Sequence, residues 1–221
     1  MATVTAPLAP AIGALRTLAA TPPPGDGVAV FARMYLVVTQ AVDRHLRLTR
    51  YFQDPEATGV LAVLFADRFL DALDARPAPA CWRPLLALRR HPGIRPIQFA
   101  LAGMNAHIEH DLPLALLDTC ARTGRALHDM SADFHRVNDV LAEVEEKARE
   151  ELAPAGHGDD PDEPLLHLLG CWSIDRARDA AWASAHALWE LRSRPEAYAA
   201  TADALSDSVG LISRCLLTPL R

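Results

Sequence analysis

Apolar residues recur at spacings of three and four through nearly the whole chain, and no stretch sustains the alternation of apolar and polar residues that a half-buried strand needs. Phe31, Tyr35, Val38, Val42 and His45 make one such stripe. Leu61, Leu64, Phe65, Phe69 and Leu73 make a second, Phe134, Val137, Leu141 and Val144 a third, and Leu205, Val209, Ile212 and Leu216 a fourth. A stripe of this period is buried only when a helix lays it against other helices. The expected fold class is therefore all-α, a single-domain bundle of about seven or eight helices with short connections.

The punctuation agrees. Asp54-Pro55-Glu56 and Ser193-Arg194-Pro195-Glu196 are helix starts, with a cap followed by proline in the first turn. Pro22-Pro23-Pro24-Gly25 stops whatever precedes it, so residues 1–27 are expected as an Ala/Pro-rich lead-in, holding at most one short helix with Ile12, Leu15 and Leu18, and 28–221 as the helical domain. An acidic loop is expected at about 153–164, where Gly156, Gly158, Asp159, Asp160 and Asp162 gather. Asp111-Leu112-Pro113 is expected to end one helix and open the next, with Asp111 as its cap.

The formal net charge of −6 gives no general attraction to polyanions, so nucleic acid is not an expected partner. Arg, Asp or His interrupts every apolar run before it reaches the roughly 20 residues of a membrane span. The N-terminus has no basic leader, and Cys81, Cys120, Cys171 and Cys215 are widely spaced, without a Cys-x-x-Cys pair. Both features suit a reducing, cytoplasmic setting.

The functional signal is concentrated mid-chain, in Gly103-Met104-Asn105-Ala106-His107-Ile108-Glu109-His110-Asp111. On a helix, Ala100, Gly103 and His107 form a row of small residues leading to an imidazole, with Asp111 one further turn along. Such a row either admits a neighbouring helix or leaves room for a ligand. Arg68 shares the face of Leu61, Leu64 and Phe65, where a guanidinium needs a carboxylate. Asn138 shares the face of Phe134 and must be hydrogen-bonded, either between helices or to a ligand.

At Gly103-Met104-Asn105-Ala106-His107-Ile108 followed by Asp111-Leu112-Pro113, the chain resembles an uncharacterised all-helical family of actinobacteria, a domain of unknown function. Phe65-Ala66-Asp67-Arg68-Phe69, the Tyr35–Thr39 segment, Asp133 and Asn138 support the resemblance, which runs from about Phe31 to Trp189. It implies the fold and no mechanism; a tailoring role in natural-product biosynthesis is an expectation attached to it.

Three functional readings follow from the residues. The leading one is an enzyme acting on a small molecule in an interhelical pocket by acid/base chemistry: proton transfer, cyclisation or displacement of a leaving group. His107 would move the proton, Asp111 would orient it, and Arg68, Asn105, Asn138, Tyr35 and Trp182 would hold the substrate. No cofactor is expected. The second is a non-enzymatic ligand-binding module, a subunit of a two-component complex or a homodimer. The third is a metal-dependent phosphoesterase with His107, His110 and Asp111 as divalent-metal ligands, because His110-Asp111 on a helical background is similar to the core of the HD phosphohydrolases. In that family His45 or His91 would complete the site from upstream, and Asp133 or Asp139 from downstream. Pro113 and a second such dipeptide, His128-Asp129, depart from that pattern. No Gly-x-Gly-x-x-Gly, Walker loop, Gly-x-Ser-x-Gly or His-Glu-x-x-His occurs, which removes the corresponding nucleotide, hydrolase and zincin chemistries.

Overall fold

A computed structural model describes residues 8–48, 50–152 and 173–219, the side chains of 145–152 excepted. Among the described residues all regular structure is helical: α1 (Ala9–Ala20), α2 (Gly27–Leu46), α3 (Pro55–Asp74), α4 (Arg83–Leu88), α5 (Pro96–Ala106), α6 (Leu112–Thr123), α7 (Ser131–Leu152), α8 (Ile174–Leu191) and α9 (Pro195–Leu216). A π-helical turn, His107–Asp111, joins α5 to α6, and a short 3-10 turn, Leu127–Met130, precedes α7. The expected acidic loop at 153–164 and Cys171 lie outside the described residues.

Helix α2 is the hub. It packs on α1, α5 and α7, while α3 and α8 pack on α6, and α9 closes over α5. Its own start is fixed by Asp26, which accepts from the Val28 N–H and takes the Arg89 guanidinium on both carboxylate oxygens, at 2.9 and 2.7 Å. From residue 8 onward the segment expected as a lead-in is part of the fold: Leu8, Ile12 and Leu15 are buried, because α1 lies along α2.

The main core gathers Phe31, Phe69, Trp82 and Phe99, all essentially without exposure. Each is worth roughly 1.5–3 kcal/mol of burial. A second cluster centres on Leu116, Leu117, Phe134 and Leu188. Phe65, Ile108 and Leu205 are partly buried and pack against both clusters, so they mark the seam between them. The π-turn lies on this seam.

The small-residue row admits a helix. A Cβ at Gly103 would stand 2.3 Å from the Phe31 ring, so α2 approaches α5 as closely as it does because Gly103 has no side chain. Asn105 belongs to the same packing on the opposite side, where its Nδ2 donates to the Val209 carbonyl and to Ser213 Oγ on α9.

Candidate functional site

Pro113 cannot donate a backbone hydrogen bond, so a regular helix through this region would leave a carbonyl one turn earlier without its partner. The chain widens instead of breaking. The Leu112 N–H bonds to the His107 carbonyl, five residues back, and the helix runs from α5 into α6 through one π-turn. The expected stop at Asp111-Leu112-Pro113 is thus corrected, and so is the capping role of Asp111, which has helical dihedrals and makes no cap bond.

Asp111 is engaged in the interior. Its Oδ2 accepts from His107 Nδ1 at 3.0 Å and from Trp82 Nε1 at 2.9 Å, and its Oδ1 accepts from His110 Nδ1 at 2.8 Å. All four residues are buried. Burial pushes the Asp111 carboxyl up, but the hydrogen bonds it accepts from His107 and His110 outweigh it and hold the group below the ordinary carboxylate value. Burial drives His107 below its ordinary value, with Asp111 opposing only in part. The ring is therefore a neutral imidazole that spends its proton on Asp111 and leaves Nε2 as a lone pair.

That lone pair is buried and, among the described residues, has no hydrogen-bond partner. Around the ring stand Phe65, stacked face to face at 3.6 Å between centroids, and Tyr35, edge-on at 4.5 Å. Phe31, Phe69 and Trp82 complete an aromatic wall. Burial raises the Tyr35 phenol far above its ordinary range, so it stays protonated. Phe65, which stacks on the imidazole, is the half-buried member of that wall.

Of the other residues expected at the site, Arg68 lies one turn along α3 from Phe65 and pairs with Asp118 of α6, while its Nε is buried without a partner. Asn138 and Trp182 are elsewhere. Asn138 accepts from Arg178 Nε, which ties α7 to α8, and Trp182 packs on Phe134 in the second cluster. Burial lowers Arg178 to about 10, and its guanidinium also donates to the Phe134 carbonyl and lies 4.2 Å from the Phe134 ring centroid. Of the residues the HD-type arrangement would need, His45 bonds to the Ala41 carbonyl and Glu143, and Asp133 accepts from the backbone of Gln53 and Asp54. Neither joins His110.

His107 and His110 turn their Nδ1 atoms to opposite oxygens of one carboxylate. Among the described residues, the group whose metal-binding atoms all lie within 4.8 Å of one another is instead Cys81, His110 and Asp111. Sequence reasoning missed Cys81 and Trp82. Both come from the turn before α4, and only the apolar character of that turn was visible locally.

A continuous helical bundle with a carboxylate clasped between two imidazoles and an indole at a π-turn is the class of protein defined by this fold and cluster. The chain belongs to a family of unknown function (DUF5995), whose model matches residues 8–219. No curated protein and no solved structure matches it. Among the described residues no helix is long and apolar enough to cross a membrane.

Proposed function

We propose that this chain is a small-molecule enzyme working by acid/base chemistry at His107, with a substrate that carries an anionic group. One observation carries the reading: among the described residues, two of the buried polar atoms that lack partners are Nε2 of His107, on whose ring Phe65 stacks, and Nε of Arg68, three residues after Phe65 on α3. A buried polar atom left unpaired costs roughly 1–3 kcal/mol. A ligand that reaches the edge of the imidazole relieves both costs, because its acidic X–H bonds to the in-plane lone pair at Nε2 and its anionic oxygen accepts from the guanidinium. His107 then takes the proton, and Asp111 holds the imidazole in the tautomer that can do so and stabilises the imidazolium that forms. Phe65 and Ile108, the half-buried residues where the aromatic wall meets the seam, offer the rest of the substrate an apolar surface, so the substrate class is an acid with an apolar or aromatic body. Tyr35 belongs to that wall. Asn138 and Trp182 are left to packing, and Asn105 to the α5–α9 contact. The setting is cytoplasmic, and a biosynthetic tailoring step is the kind of reaction that suits it.

The test is untargeted mass spectrometry of a small-molecule extract from the source cells, incubated with the purified protein or a variant. The wild-type chain should deplete at least one acidic component. His107→Gln should lose that depletion by about 100-fold or more, the usual scale of a general base. Arg68→Leu should slow it mainly by raising the concentration needed. A folded His107→Gln that matches the wild type, or a wild type that changes nothing, overturns the proposal.

A further inference from the structure

On the face of Asp111 away from His107, Cys81, His110 and Asp111 bring a sulfur, an imidazole nitrogen and a carboxylate oxygen within 4.8 Å of one another, all three residues buried. We propose that this cluster is a binding site for a divalent ion of the zinc class. The ligand types are those a borderline-soft cation selects, and a hard, oxygen-seeking ion such as magnesium would not choose a thiol. The separations are also close to what is needed. Bonds of about 2.0–2.3 Å place tetrahedral ligands some 3.3–3.8 Å apart, so atoms no more than 4.8 Å apart close by at most about 1.5 Å.

The remaining contacts prepare the set. His107 Nδ1 and Trp82 Nε1 both bond to Asp111 Oδ2, which turns Oδ1 towards His110 and holds the carboxylate in place from behind. Such outer contacts orient metal-binding carboxylates and raise affinity. The Cys81 backbone N–H donates to Ser206 Oγ on α9, which anchors the cysteine itself.

The charge balance also fits. Burial, with the Asp111 charge adding to it, pushes the Cys81 thiol up to about 12, so without an ion it stays protonated. An incoming dication displaces that proton, and thiolate plus carboxylate then neutralise the ion while the imidazole adds no charge. Binding of one ion therefore releases one proton, and three protein ligands leave the fourth tetrahedral position of the ion open. The site shares Asp111 with the catalytic reading through its bond to His107, but the inference does not rest on that reading, because ion binding is measured without a substrate.

Cobalt(II) added to the chelator-treated full-length protein tests it without a substrate. A thiolate ligand gives cobalt a charge-transfer band in the near ultraviolet that imidazole and carboxylate sites lack. The expected result is a band that saturates at one equivalent, is lost in Cys81→Ser, persists in Cys215→Ser, and is bleached by one equivalent of zinc. Absence of the band in the wild type, its survival in Cys81→Ser, or its loss in Cys215→Ser would each overturn the assignment. Should Cys81→Ser fail to fold by circular dichroism, the chain with Cys120, Cys171 and Cys215 all replaced by Ser must keep the band, and its loss there overturns the assignment.

Discussion

Gly103 shows how much a missing atom can specify. An alanine there places its Cβ 2.3 Å from Phe31 Cδ2 and 3.0 Å from Phe31 Cβ, so the whole residue must move and not just the end of a flexible chain. Phe31 cannot move alone, because its ring packs on Tyr35, Phe69, Trp82 and His107. Overpacking of this kind costs about 1–3 kcal/mol, against a gain of up to about 1 kcal/mol from replacing a helical glycine. Gly103→Ala should therefore lower stability by roughly 1–2 kcal/mol in urea unfolding. Gly13, mid-helix in α1 with nothing within 4 Å of its added Cβ, should respond in the opposite direction, gaining roughly 0.5–1 kcal/mol as alanine. From the sequence the row Ala100, Gly103, His107 was visible, but whether it made room for a ligand or a helix was not. A glycine reads the same in both cases, and the answer lay in Phe31, 72 positions earlier.

At the scale of elements, spacing alone predicted the helices well, because burying an apolar stripe demands a partner wherever the stripe occurs. Ends were less legible, since they depend on which distant group meets the exposed backbone. Asp54 caps α3 locally by accepting from the Ala57 N–H, as its position before Pro55 foretold. The backbone just upstream is satisfied from α7, where Asp133 accepts from Gln53 N at 2.8 Å and Asp54 N at 2.7 Å, and takes the Thr58 hydroxyl at 3.3 Å. Nothing near Asp133 in the sequence indicates this. Removing a buried acceptor of two backbone donors costs on the order of 2–3 kcal/mol. Asp133→Ala should thus destabilise by about that much, with amide hydrogen exchange accelerating first at residues 53–58. An equal acceleration along the whole of α3 would mean that Asp133 serves general packing and not the helix entry. The π-turn is the same lesson in reverse. Pro113 was read as a stop because a proline removes one bond, yet α5 and α6 stay joined by shifting to the bond five residues back.

Across the whole molecule, what the sequence showed of the site was its local part. His107 and Asp111 are four apart on one helix, and their contact follows from the helical repeat. Cys81, Trp82 and Phe65 join them through the tertiary fold, and the grouping of His107 with Asn138 and Trp182 failed because Arg178 and Phe134 claim those two residues. Asp26 was equally hidden. It ties the start of α2 to the end of α4, with its side chain fully buried and the Arg89 side chain 31% exposed. Burial raises its carboxyl, but the Arg89 hydrogen bond, the Val28 N–H and the Arg89 charge prevail, and the group lies below its ordinary value of 3.8. A carboxylate depressed by folding stabilises the native state fully above its unfolded pKa, and that contribution fades as pH falls through the folded value. Asp26→Asn should accordingly cost roughly 2–4 kcal/mol at pH 7, discounted from a fully buried pair because Arg89 reaches solvent. The gap between wild type and variant should stay constant down to about pH 4 and narrow only below it, in urea unfolding followed at successive pH values. A gap that narrows between pH 7 and 5 would overturn this account of Asp26, because a carboxylate held down by an arginine has no proton to gain in that range.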